Sequence, residues 1–174
     1  MKKAVFLDRD GVINQTIFRR GKPRAPYTLE EFTFLPGVPE AVDFLKDEGF
    51  LIVVVTNQPD VARGWVTRDA VDLVNHHVKE TLNVLEVKSC FHTEHDACAC
   101  RKPAPGMLLE ASEAYGIDLK ESFMIGDRMS DIEAGKRAGC RTILIGEGEG
   151  GEKIVTPDHQ AESLLLATGW IVQQ

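Results

Sequence analysis

The feature that most limits the fold is an alternation of two kinds of segment. Short apolar or β-branched runs, too brief for core helices, are separated by longer stretches with helical spacing. Residues 4–7, 51–55, 87–91, 122–125 and 142–145 read as buried strands. Residues 39–48, 68–85, 106–115 and 130–138 read as helices. Val71, Val74, Val78 and Leu82 make a one-faced stripe, and Gly49 and Gly116 stand where helices stop. Strands that alternate with helices form crossover units, so the expected fold is α/β with a mostly parallel sheet. The 174 residues fit one domain, 1–174, with no linker and no repeat. Residues 16–36 and 146–157 read as irregular loops, the second rich in Gly and Glu and mobile.

Charge narrows the function. The chain carries 20 Lys+Arg against 27 Asp+Glu, a net charge of −7 that disfavours a general binder of nucleic-acid backbones. No apolar run approaches the ~20 residues of a membrane span, and the N-terminal run is too short for a signal peptide. The expectation is a soluble, cytoplasmic monomer with no nucleic-acid or membrane partner.

Open parallel sheets bind ligands beyond the carboxyl ends of their strands. There the first strand runs into Asp8-Arg9-Asp10-Gly11. Spacing of two in extended chain puts both carboxylates on one side. Two close carboxylates need a cation or a proton between them. One can attack phosphorus and the other can shuttle protons to and from the ester and water oxygens. Read alone, the pair equally fits a helix cap and a surface ion pair. A second acidic turn, Gly126-Asp127-Arg128-Met129-Ser130-Asp131, also follows a strand. Asp8, Asp127, a backbone carbonyl and waters would suit octahedral Mg²⁺. Asp131 fits a helix cap or a partner for Arg128 or Lys102.

Cys90-Phe91-His92, five residues, then Cys98-Ala99-Cys100 places three thiols and one imidazole within eleven residues. That set matches a closed, tetrahedral Zn²⁺ site, structural rather than catalytic, which stiffens a loop next to Arg101 and Lys102. Disulfides are the alternative, disfavoured in a reducing compartment. His95 reads as an exposed loop residue, His76 and His77 as helix surface, Cys140 as a small buried thiol, and Trp65 as packing.

To the acidic turns the chain adds Val53-Val54-Val55-Thr56-Asn57-Gln58 and Cys100-Arg101-Lys102-Pro103. The ordered combination resembles the haloacid dehalogenase-like phosphohydrolase superfamily. The resemblance implies a Rossmann-like open sheet with helices on both faces. It makes Asp8 the nucleophile, Asp10 the acid/base, Thr56 and Lys102 phosphoryl-binding groups, and Asp8, Asp10 (through its carbonyl) and Asp127 the Mg²⁺ ligands. Asp8–Asn14, residues 56–58 with Ala62-Arg63-Gly64, and residues 101–107 resemble the branch that holds heptose bisphosphate phosphatases and histidinol-phosphatase domains. That likeness implies an Mg²⁺-dependent phosphomonoesterase for a small phosphorylated substrate. It assigns Arg9, Arg101 and Arg128 to substrate, gives Thr16, Arg19, Asn57 and Gln58 the shaping of the pocket, and puts Arg63 on its rim. Most of the likeness favours a heptose 1,7-bisphosphate; the short zinc-binding loop favours histidinol phosphate. Pro59-Asp60 departs from the small residues of that branch. The intervals between motifs leave no room for a large cap domain, so residues 16–36, 58–65 and the Cys/His loop must supply specificity.

Overall fold

The structure is a computed structural model and describes residues 2–149 and 155–174. In chain order the elements are β1 (Ala4–Leu7), β2 (Ile17–Arg19), β3 (Lys22–Arg24), α1 (Val38–Asp47), β4 (Leu51–Asn57), α2 (Arg68–Leu82), β5 (Glu86–Cys90), α3 (Gly106–Tyr115), β6 (Phe123–Arg128), α4 (Met129–Ala138), β7 (Arg141–Glu149), β8 (His159–Ala161) and α5 (Leu164–Ile171). Six strands form one sheet in the order β5-β4-β1-β6-β7-β8, and every pairing in it is parallel.

Side chains on a strand alternate between faces, and β1 divides its residues accordingly. Val5 and Leu7 join Val42 and Leu45 of α1, Val78 of α2 and Ile171 of α5 in one core; Ala4 and Phe6 join Met107, Leu108 and Ala111 of α3 in the other. Gly135 of α4 lies so close to the sheet that a Cβ there would come within 2.6 Å of Met124 and 2.7 Å of Thr142. Helices therefore cover both faces, as the alternation of segments predicts.

From β1 the chain works outward through β4 to β5, then crosses back to β6 and runs out through β7 to β8. The reversal lies between β1 and β6. At such a point adjacent loops diverge and open a crevice at the carboxyl ends of the strands. Asp8 and Asp127 sit at those two ends.

Several segments differ from the reading of the sequence. Residues 16–36 hold an antiparallel hairpin, β2–β3, in place of a wholly irregular loop. Strand β7 runs on to Glu149, beyond the expected end at 145; residues 150–154 of the expected mobile loop lie outside the described residues. Helix α2 stops at Leu82 because Asn83 takes a left-handed conformation, φ 47. His77 is half-buried against the rings of Phe32 and Phe34, not a free surface residue. Cys140 is buried as expected. No helix among the described residues is long and apolar enough to cross a membrane.

Candidate active site

β1 ends in a tight loop. The Arg9 carbonyl accepts from the amides of Ile13 and Asn14, at 2.8 and 3.1 Å, and the Gly11 amide donates to the Asn14 carbonyl at 2.8 Å. Gly11, at φ +94, is required here twice over: few other residues adopt that angle, and a Cβ would stand 2.1 Å from Asp127 Oδ2. The turn thus lets Asp127 approach Asp8.

Lys102 holds the centre. Its ammonium is buried and lies 2.7 Å from Asp8 Oδ1, 2.7 Å from Asp131 Oδ1 and 2.8 Å from the Val55 carbonyl. Burial alone would lower its pKa, but the two carboxylates outweigh burial and raise it, so the amine stays charged. Asn57 grips the Lys102 backbone from both sides: its Nδ2 donates to the Lys102 carbonyl at 3.0 Å and its Oδ1 accepts from the Lys102 amide at 3.1 Å. Asp131, nearly inaccessible, spends its other oxygen on the Arg128 amide at the start of α4. Both roles weighed for it, cap and partner of Lys102, are filled at once.

Asp8, Asp127 and Asp131 place carboxylate oxygens within 4.8 Å of one another. Burial, then the neighbouring carboxylates Asp8 and Asp131, push Asp127 up to about 8. Burial also pushes Asp8 up to about 6, against the pull of Lys102. Asp127 Oδ1 is buried with no hydrogen-bond partner. Three converging acids, one of them with an orphaned oxygen, make a donor set that fits a hard divalent cation.

Asp10 points elsewhere. Its carboxylate accepts from Gln58 Nε2 at 2.7 Å, Asn14 Nδ2 at 3.0 Å and the Arg9 guanidinium at 3.1 Å. Gln58 Nε2 also donates to Thr56 Oγ1 at 2.9 Å, so one amide sets both groups. The Asp10 side chain lies outside the acidic triad.

Asp8, Asp10 and Asp131 line a cleft of about 440 Å³. Of the residues expected there, Asp8, Asp10, Asn57, Gln58, Arg63, Arg101, Lys102 and Arg128 line it. Three do not. Arg9 is fully buried, and its guanidinium turns inward to Asp10 and Asn75 Oδ1, the latter at 2.7 Å. Arg19 pairs with Glu31 and covers the Tyr27 ring. Thr16 lines a separate cavity beside Gly37 and Leu165. Sequence reasoning missed Lys22 and Arg24, which the hairpin brings to the cleft, and Asn75, which anchors Arg9. The basic run from Arg19 to Arg24 was the available signal; nothing in the spacing marked Asn75.

Cys90, His92, Cys98 and Cys100 converge beside the cleft, and His95 stays outside the group. Cys98 Sγ lies 3.8 Å from Cys90 Sγ and 3.7 Å from Cys100 Sγ. Those separations match the edge of a tetrahedron with metal–sulfur bonds of about 2.3 Å. His92 Nδ1 lies 3.4 and 3.3 Å from Cys90 and Cys100; the Cys90–Cys100 pair is closer, at 2.9 Å. Gly106 opens α3 against this loop: its amide donates to the Ala99 carbonyl at 2.9 Å, and a Cβ would stand 2.2 Å from that oxygen.

The chain has relatives. A sequence profile for the HAD-hydrolase-like family (HAD, haloacid dehalogenase) matches residues 99–167. A D-glycero-D-manno-heptose-1,7-bisphosphate 7-phosphatase of Chlorobaculum tepidum is 37% identical, over 99% of this chain and 96% of the relative. A D-glycero-alpha-D-manno-heptose-1,7-bisphosphate 7-phosphatase of Campylobacter jejuni is 36% identical, over 82% and 81%. Among solved structures, the D,D-heptose 1,7-bisphosphate phosphatase from B. bronchiseptica complexed with magnesium and phosphate superposes with a TM-score of 0.82 at 29% identity, covering 98% of both chains. The shared length and the acidic turns lead to one conclusion: the chain belongs to the haloacid dehalogenase-like phosphatases, in the family of the heptose 1,7-bisphosphate 7-phosphatases.

Proposed function

We propose that this protein hydrolyses the 7-phosphate of D-glycero-D-manno-heptose 1,7-bisphosphate through an aspartyl-phosphate on Asp8. The observation that carries the chemistry is the buried Asp8–Lys102–Asp131 array at the floor of a cationic cleft. Phosphoryl transfer asks a protein chiefly for positioning and charge. Lys102 and the Thr56 hydroxyl would receive the transferring oxygens, and Asp8 would attack phosphorus. Asp10, held by Gln58, would give its proton to the leaving sugar oxygen. It would then take a proton from the water that cleaves the acyl phosphate.

Asp8, Asp127 and the Asp10 carbonyl would hold Mg²⁺, the ion named for the relative from B. bronchiseptica. When bound, it supplies the charge that lets an anionic carboxylate approach an anionic phosphate. Cys90, His92, Cys98 and Cys100 would hold a structural Zn²⁺ that keeps Arg101 and Lys102 in place. We read residues 1–174 as one domain, a cytoplasmic monomer whose reducing surroundings keep the zinc thiols free.

Charge supports the substrate. On the outer wall of the cleft stand Lys22, Arg24, Arg63, Arg101 and Arg128, against the carboxylates Asp60 and Glu94. That balance attracts a second phosphate and repels the ammonium of histidinol phosphate. The short Cys/His loop is the one feature that favours the amine. Phosphate release from both compounds, each assayed with wild type and Asp8→Asn, tests the reading. Turnover of the bisphosphate by wild type alone supports it. Preference for histidinol phosphate, or activity of Asp8→Asn, overturns it.

A further inference from the structure

Asp60 has no part in the chemistry above, yet it is 5% exposed and has three polar partners from two separate segments. Arg24 Nη1, at the end of β3, donates to both of its oxygens, at 3.0 and 3.3 Å. Tyr27 donates its hydroxyl to Oδ2 at 2.8 Å. Arg63, three residues on, donates through Nη1 to Oδ1 at 3.0 Å. One carboxylate thus ties the β2–β3 hairpin to the loop after β4. Trp65 supports the same group from its ring, with the Arg24 and Arg63 guanidiniums 4.5 and 5.4 Å from its centroid.

We propose that Asp60 is the positioning residue for recognition of the phosphate that is not transferred: it fixes Arg24 and Arg63 as one unit at the mouth of the cleft. The inference rests on the bisphosphate reading above. Two guanidiniums share one carboxylate, so the unit keeps a positive charge. Arginines already fixed lose less freedom when they grip an anion. Arg63 spends only Nη1 on Asp60. Its Nη2 reaches out to Glu94 Oε2 at 2.7 Å, and Arg101 Nη2 approaches the same oxygen at 3.8 Å. Glu94 is exposed and sits on the Cys/His loop. Its carboxylate marks the point where the two arginines converge on an oxyanion. A phosphate that arrives there exchanges with Glu94, while Asp60 keeps Arg63 from following Glu94 into solvent.

The test compares heptose 1,7-bisphosphate with heptose 7-phosphate in wild type, Asp60→Asn and Asp60→Ala. The expected result is a KM for the bisphosphate raised about tenfold, the worth of one charge-assisted contact. With it, kcat stays within about twofold and both constants for the monophosphate are unchanged. Asp60→Asn keeps the side-chain shape, so the question stays decidable should the alanine variant fail to fold. If wild type turns over neither heptose ester, the substrate reading fails by itself. The same split is then read on fructose 1,6-bisphosphate against fructose 6-phosphate. An equal rise of KM on mono- and bisphosphate, a loss confined to kcat, or no change overturns the proposal.

Discussion

Lys102 donates to Asp8 at 2.7 Å across 94 positions of sequence, and the bond is buried on both sides. The same ammonium holds Asp131. Lys102→Met would leave two buried acids without their cation, and breaking a buried pair from one side costs about 3–5 kcal/mol of stability. The expected kinetic effect is a fall in kcat of roughly 10²–10³-fold, on the scale of a lost oxyanion-stabilising group. Lys102→Arg should not rescue it, because a planar guanidinium cannot replace an ammonium that meets Asp8, Asp131 and the Val55 carbonyl from one point. Steady-state kinetics with a thermal melt for each variant separates the two losses.

The acidic triad gives the metal-free protein a pH-dependent stability. Burial, with repulsion between the carboxylates, raises Asp127 from 3.8 to about 8, and burial raises Asp8 from 3.8 to about 6. Between those values the native state holds protons that the unfolded chain has lost, so stability falls as pH rises. With no Mg²⁺ added, Tm should decline from pH 5 to pH 8. Mg²⁺ binds the ionised acids and should raise Tm, more at pH 8 than at pH 5. Gly11→Ala would push on Asp127 and should weaken the Mg²⁺ response. Scanning calorimetry across pH, with and without the ion, checks all three.

The Cys/His cluster should hold one Zn²⁺ per chain by elemental analysis, and Cys98→Ser should lose it. Chelation should expose the cluster thiols to an alkylating reagent. Cys140 should stay inert, because burial pushes its thiol up to about 12 and the thiolate is the reactive form. Arg101 donates to the His92 carbonyl at 3.2 Å, so the loss of zinc should also raise KM for the bisphosphate.

Much of this architecture was legible because β1, β4 and the first half of β6 are apolar on both faces and each acidic turn follows one directly; β5, with Glu86, Lys88 and Ser89, is only partly buried rather than the buried strand expected. Period and punctuation suffice for that, and Gly116 closes α3 in the left-handed conformation that its position suggests. The hairpin was not legible. Its strands have three residues each, and Arg20-Gly21, both with positive φ, is a weak turn signal without an Asn or Asp. Nor was α5, whose run of leucines has little polar face to give it a period, although Ser163 caps it. Spacing found the charged residues but not their directions. Arg9 follows the nucleophile position and yet turns inward, because the buried Asn75 and Asp10 offer it acceptors there. Asn57 was read as pocket wall and is first a clamp on the Lys102 backbone.

The chemistry turns on which atom receives the phosphoryl group. Crystals grown with Mg²⁺ and beryllium fluoride test this directly, since the fluoride mimics an acyl phosphate. The predicted result is a beryllium–oxygen bond to Asp8, with Lys102 and Thr56 on the fluorines and the metal between Asp8 and Asp127. A bond to Asp10, Asp127 or Asp131, or an adduct remote from the Lys102 ammonium, would contradict it.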